Sequence, residues 1–242
     1  MREKLIAISV LACSLLAMLF SFIYIVNWIE DNKKTKERIE IVQEVTKIEI
    51  NPVSTFLSVD FTELSKINDE VVAWIKVPET SVNYPVVKHK DNSYYLTHSY
   101  DKSFNYAGWI YTDYRNDIDD LVSNNIIYGH GRVDGSMFGS LRDLINKDGS
   151  EKLVYISTPY NNYIFQVFSI YRIMNTNDYL YTGYDNNEKF LSFIDLIKNR
   201  SLVKYDDLEI EPSDKILTLA TCYDTREKFV IHAKMIKWEK RF

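Results

Sequence analysis

The stretch Lys152-Leu-Val-Tyr-Ile-Ser-Thr158, Pro159-Tyr-Asn-Asn162, Tyr163-Ile-Phe-Gln-Val-Phe-Ser-Ile-Tyr-Arg172 reads as two strands joined by a turn. Its two long runs are β-branched and aromatic, and such side chains pack well on a pleated surface. The Pro and Asn residues between them fix φ and bond to their own backbone, which reverses the chain. Working outward, residues 71–77 form a strand closed by Pro78. Residues 82–87 form another, with Pro85 marking an edge or a bulge. Residues 107–112, 125–128, 216–221 and 229–236 complete about eight strands.

Few helices interrupt this pattern. Asp60 is an N-cap candidate for a short helix through Ile67. An Asp134-Gly135 turn precedes Ser136, which is placed to cap a short helix with Met137, Phe138, Leu141 and Ile145 on one face. Residues 187–199 carry Phe190, Phe193, Ile194 and Ile197 at helical spacing. Strands at this density, joined mostly by turns, predict a mainly β fold closed into a barrel. With 18 Tyr against 7 Gly and 5 Pro, the composition agrees with strands. The net charge of −5 and the lack of a basic stripe argue against nucleic acid as a partner.

The N-terminus is different. From Leu5 to Ile29 no residue is charged, and at about 1.5 Å per residue a helix of that length exceeds the roughly 30 Å hydrocarbon core. No small-residue cleavage site follows, so residues 1–29 read as a transmembrane signal anchor. Trp28 and Tyr24 suit the far interface. Residues 30–59 read as a charged stalk, with Ile39, Val42 and Val45 at helical spacing over 30–50, and residues 60–242 as the globular domain. Arg2 and Lys4 precede the apolar run, while Lys33, Lys34, Lys36 and Arg38 follow it. Charge alone therefore places the domain on the cytoplasmic side.

The candidate chemistry lies at two strand ends. Thr218-Leu-Ala-Thr-Cys222 runs an apolar strand into a thiol beside a polar loop. The other cysteine, Cys13, is in the apolar N-terminal run, so no disulfide framework is expected. Asn125-Ile-Ile-Tyr-Gly-His130-Gly ends a second apolar strand at a histidine between glycines. A cysteine nucleophile needs a neighbouring base or positive charge to form thiolate, and an imidazole supplies either. A buried structural thiol and a hydrogen-bonded surface histidine are the plainer readings of each residue taken alone. Arg226 and Lys228, two apart at the start of the last strand, offer positive charge that can hold an oxyanion; two solvated side chains beside Asp224 and Glu227 is the alternative. No His/Cys/Asp spacing suggests a metal site, and no cofactor is expected. His89 and His98 read as solvated loop residues.

Taken together, these segments resemble the class B sortases. Thr218-Leu-Ala-Thr-Cys222 matches their TLxTC signature, with Ala220 in place of a common Ser. Asn125-Ile-Ile-Tyr-Gly-His130 with Asp134-Gly-Ser-Met-Phe-Gly-Ser-Leu141 is similar to their histidine region. Trp74-Ile-Lys-Val-Pro, Asn83-Tyr-Pro-Val and Gly108-Trp-Ile-Tyr-Thr-Asp-Tyr-Arg-Asn116 add to the likeness, as does the helix at 187–199.

The resemblance implies an eight-stranded sortase barrel outside a Gram-positive cell membrane. It implies a cysteine transpeptidase that cuts a C-terminal sorting signal of secreted proteins after Thr, of NPxTx or SPxTx type. The acyl group passes through a thioester to a peptidoglycan amine. Cys222 is then the nucleophile, His130 the acid/base, and Arg226 the catalytic arginine. Strict alignment gives the arginine position to Lys228, which lacks the guanidinium fork. Asn92, Leu96, Tyr179, Leu180 and Lys228 are the expected substrate-binding residues, with loop packing as the plainer reading of the first four, and His232 is expected to be structural. A membrane-bound cysteine peptidase that hydrolyses, or a non-catalytic binding barrel, are the competing readings.

Overall fold

A computed structural model describes residues 2–45, 49–50, 56–146, 152–174, 176–203, 208–222 and 227–241. The chain divides into two compact units, Met1–Glu40 and Ile41–Phe242. Most of the first is helix α1, Arg2–Val45, which runs on into the second. Its large apolar residues from Leu5 to Ile29 are exposed, and the helix is long and apolar enough to cross a membrane. A helix satisfies its backbone polar groups internally, as hydrocarbon demands. It continues without a break into the charged stretch, where Lys34 and Glu30 pair at 2.7 Å one turn apart.

The second unit is a closed barrel. Its elements are β1 (Glu49–Ile50), β2 (Leu57–Ser58), α2 (Phe61–Ile67), β3 (Val71–Lys76), β4 (Asn83–Val87), β5 (Tyr111–Thr112), β6 (Asn124–His130), β7 (Leu153–Ser157), β8 (Asn161–Met174), α3 (Asn187–Arg200), β9 (Ile216–Cys222) and β10 (Glu227–Lys240). Eight strands close in the order β10-β8-β7-β3-β4-β5-β6-β9. The β7–β8 hairpin forms as its turn chemistry predicts, with Thr158 N–H donating to the Asn161 carbonyl. Asp60 caps α2, accepting from Thr62 N–H at 2.8 Å.

Four expectations need correction. The strand expected over 107–112 is reduced to Tyr111–Thr112, because Trp109 N–H donates to the Tyr95 carbonyl instead of to a ladder. The helix expected over 30–50 ends at Val45, and Glu49–Ile50 pair with Leu57–Ser58. Met137 does not start a helix: its φ is +53°, and a 3-10 segment begins only at Gly139. His89 and His98 are not free in solvent. They stack on opposite sides of Tyr94 at 4.4 and 4.0 Å, and His89 Nδ1 lies 3.1 Å from the Glu70 carboxylate. Pro85 sits where the missing N–H costs nothing. Val87, two residues on, faces Ile110 from the same strand edge, and the Pro85 carbonyl takes the Trp109 indole N–H.

Helix α3 matters most for the site. Asn186 caps it, and Phe190, Phe193, Ile194 and Ile197 are buried on one face. These pack against Phe168 and Tyr171 of β8, Ala220 of β9, Val230 of β10 and Tyr179. Each such side chain contributes roughly 1.5–3 kcal/mol on burial. Tyr179 and Ala220 therefore rest on a solid base.

Candidate active site

Strands β6 and β9 are far apart in sequence but run parallel in strict register, from Asn124↔Ile216 to His130↔Cys222. On the other side of β9, β10 runs antiparallel with Lys228↔Cys222. His130, Cys222 and Lys228 thus occupy one row across three neighbouring strands, each strand roughly 5 Å from the next.

The ends of this row are held by local packing. At Gly129 an added Cβ would lie 2.5 Å from Ile110 Cδ1 and 2.8 Å from Phe138 Cγ, so only glycine lets β6 pass there. The His130 carbonyl accepts from Phe138 N–H at 3.0 Å. Burial, and then the Arg132 guanidinium, hold the His130 imidazole below its ordinary pKa, so the neutral ring dominates at pH 7. Arg132 is itself turned to Asp134, at 3.1 Å.

A cleft of about 180 Å³ opens at this row, lined by Leu96, Tyr111, Tyr128, Gly129, His130, Tyr179, Ala220, Thr221 and Lys228. Four of the expected site residues, His130, Leu96, Tyr179 and Lys228, meet there. Leu96 ends a 3-10 turn, Tyr94–Leu96, whose start is tied by Asp91 to the N–H groups of Ser93 and Tyr94. Gly108, at φ +58°, closes against that turn, where a Cβ would lie 2.7 Å from the Leu96 carbonyl oxygen. Lys228 Nζ lies 3.3 Å from Asn177 Oδ1 and 5.9 Å from the centre of the Tyr179 ring.

Asn92 and Leu180 are not in the cleft lining. Asn92 donates to Asp113 Oδ2 at 2.9 Å and accepts from Tyr114 N–H, while the Leu180 carbonyl accepts from Arg115. Arg226 lies outside the described residues. His232 is fully buried, as a structural residue should be, between Tyr171 Oη (2.9 Å) and Thr218 Oγ1 (2.8 Å). Among the residues that sequence reasoning left without a role, Tyr128, Tyr111 and Thr221 line the cleft, and Asp113, Arg115 and Asn124 lie behind it. The motif segments 108–116, 125–130 and 218–222 contain all of these but Asn124. An Asn124-Asn125 pair opening an apolar strand implies buried polar partners.

A family model described as the sortase domain matches residues 75–236. Sortase B of Staphylococcus aureus is 32% identical over 226 residues, covering 91% of this chain and 92% of the relative. The chain belongs to the sortase family. Sortase B of Listeria monocytogenes is 33% identical over 184 residues, covering 73% of this chain and 74% of the relative. Among solved structures, sortase B from B. anthracis in complex with AAEK1 superposes with a TM-score of 0.75 at 33% identity, over 86% of this chain and 99% of that one. The Staphylococcus aureus sortase B–substrate complex gives 0.68 at 31% identity, over 85% and 94%. Both the relatives and the barrel place this sortase in class B, and sortases are cysteine transpeptidases.

Proposed function

We propose that this sortase cleaves a C-terminal sorting signal of secreted proteins after Thr, holds the protein on Cys222, and transfers it to a peptidoglycan amine. The observation that carries this reading is the register row of His130, Cys222 and Lys228, whose two outer members line the cleft. Neutral His130 takes the Cys222 thiol proton, and the resulting thiolate adds to the Thr carbonyl. The C–N bond breaks, and His130 gives a proton to the departing amine. The acceptor amine then adds to the thioester, His130 takes its proton, and the C–S bond breaks to return the thiolate, which takes that proton back from His130. A cation from the start of β10 stabilises the oxyanion in both halves. Lys228 takes that place on register, and Arg226 is the alternative on side-chain chemistry.

In this reading Leu96 contacts the peptide, Tyr179 supports the cleft from its buried position, and Asn92 and Leu180 act from behind the wall. Residues 1–29 anchor the chain in the membrane as a single span, 30–59 form the stalk, and 60–242 work on the outer face. The exposed apolar helix supports the anchor. The test is cleavage of NPxTx and SPxTx peptides with and without an added amine. Amine-dependent ligation product supports transfer, and cleavage indifferent to amine would assign a hydrolase.

A further inference from the structure

The segment after β8 forms one wall of the cleft through Tyr179, and its backbone is held to an unusual degree. Asn124 Nδ2 donates to the carbonyls of Tyr179 (3.2 Å) and Tyr181 (2.8 Å). Arg115 Nη2 donates to the Leu180 carbonyl between them at 3.0 Å. The Thr182 carbonyl accepts from Asn124 N–H at 3.1 Å. Four consecutive carbonyls of a loop are thus bonded to two residues of the barrel side.

Arg115 does more than this. Its Nε and Nη2 grip Asp113 Oδ1 and Oδ2, each at 2.8 Å. The Asp113 side chain is fully buried. Its Oδ2 also accepts from Tyr128 Oη at 2.8 Å and from Asn92 Nδ2 at 2.9 Å. Burial alone would raise the Asp113 carboxyl; the Arg115, Tyr128 and Asn92 donors more than reverse that, and it stays ionised. One guanidinium therefore links two parts of the cleft lining: Tyr128 on β6 through Asp113, and the 179–181 segment directly.

We propose that Arg115 is a positioning residue for substrate binding, fixing the Tyr179–Tyr128 spacing of the cleft through the Leu180 carbonyl and Asp113. This rests on the reading that the cleft receives the sorting peptide. The described contacts of Arg115 are with Asp113, Tyr114 and Leu180, none of them a reacting group, so its loss acts on peptide binding. A lysine keeps the charge beside Asp113 but lacks the planar fork that reaches both partners at once.

The experiment compares the full chain in detergent with its Arg115→Lys variant, by steady-state cleavage of whichever NPxTx or SPxTx peptide the parent cuts. We expect KM to rise about tenfold with kcat within about threefold, the pattern of a lost binding interaction rather than a lost transition-state contact. Asn124→Ser, which releases Tyr179 and Tyr181 without touching Asp113, is expected to raise KM in the same way and serves if Arg115→Lys does not fold. A KM within about twofold of the parent in the folded variants, or a fall in kcat at unchanged KM, overturns the proposal. A parent that cuts no peptide, or a Cys222→Ala variant that still cuts, sinks the underlying reading instead, and this inference with it.

Discussion

His130 and Cys222 are register partners on parallel neighbours β6 and β9, although they are 92 positions apart in the chain. Parallel pairing has a useful consequence here. Both strands end at the same rim, so two strand-end residues meet without either lying on a long loop. The catalytic pair proposed for this sortase is therefore set by backbone hydrogen bonds, which are stiffer than loop contacts.

Gly129 should tolerate no side chain. Its Cβ position is already occupied by Ile110 and Phe138 atoms at 2.5–2.9 Å. Gly129→Ala is expected to destabilise the protein by about 1–3 kcal/mol, the usual range for overpacking. Because the next residue is His130, activity should fall further than stability accounts for. Thermal melts and peptide cleavage at a temperature where the variant stays folded check both parts. An unchanged melting temperature would mean that β6 does not pack as described.

The two candidate cations make opposite predictions. Lys228 stands across from Cys222 and lines the cleft. Lys228→Ala should lower kcat by about 10²-fold, the scale seen when one oxyanion donor is removed. Arg226→Ala should then cost much less. The reverse order, measured by single-turnover acylation, would give the role to Arg226.

Acid should weaken the fold through its buried histidines. Burial holds His232 down to about 3, well below the roughly 6.5 of an unfolded chain. Between those values the unfolded chain binds a proton that the native state refuses. Stability is therefore complete above about pH 6.5 and lost as pH falls towards 3, by up to about 1.4 kcal/mol per pH unit for each such histidine. His130, shifted in the same direction by burial, adds to the slope near pH 6. His232→Gln keeps a donor for Thr218 and an acceptor for Tyr171, and should flatten the dependence. Denaturant midpoints from pH 7 to 4.5 measure it, and equal slopes in parent and variant would contradict the assignment.

Much of this fold is legible in the chain because its signals are local. The β7–β8 hairpin announces itself by turn residues between branched runs. Helix α3 shows in the spacing of Phe190, Phe193, Ile194 and Ile197. The Thr218–Cys222 and Asn125–His130 strand ends pick out the candidate pair. What sequence hides is which polar groups end up buried. Asp113 and Arg115 fall inside a motif segment without a role of their own, yet Asp113 is sealed by donors from Asn92 and Tyr128. Asn124 meets carbonyls 55 and 57 residues away. The late start of β5 has the same origin, since Trp109 N–H is claimed by Tyr95 from another loop.

The most direct test of the account is the mass of the protein caught during turnover. The chain is mixed with a cleavable sorting peptide without amine, quenched in acid, and mapped by mass spectrometry, with Cys222→Ala alongside. The account predicts an acyl adduct on Cys222 ending at Thr, discharged when an amine is added and absent from the variant. Cleavage that persists in Cys222→Ala, or an adduct on any other residue, would contradict it.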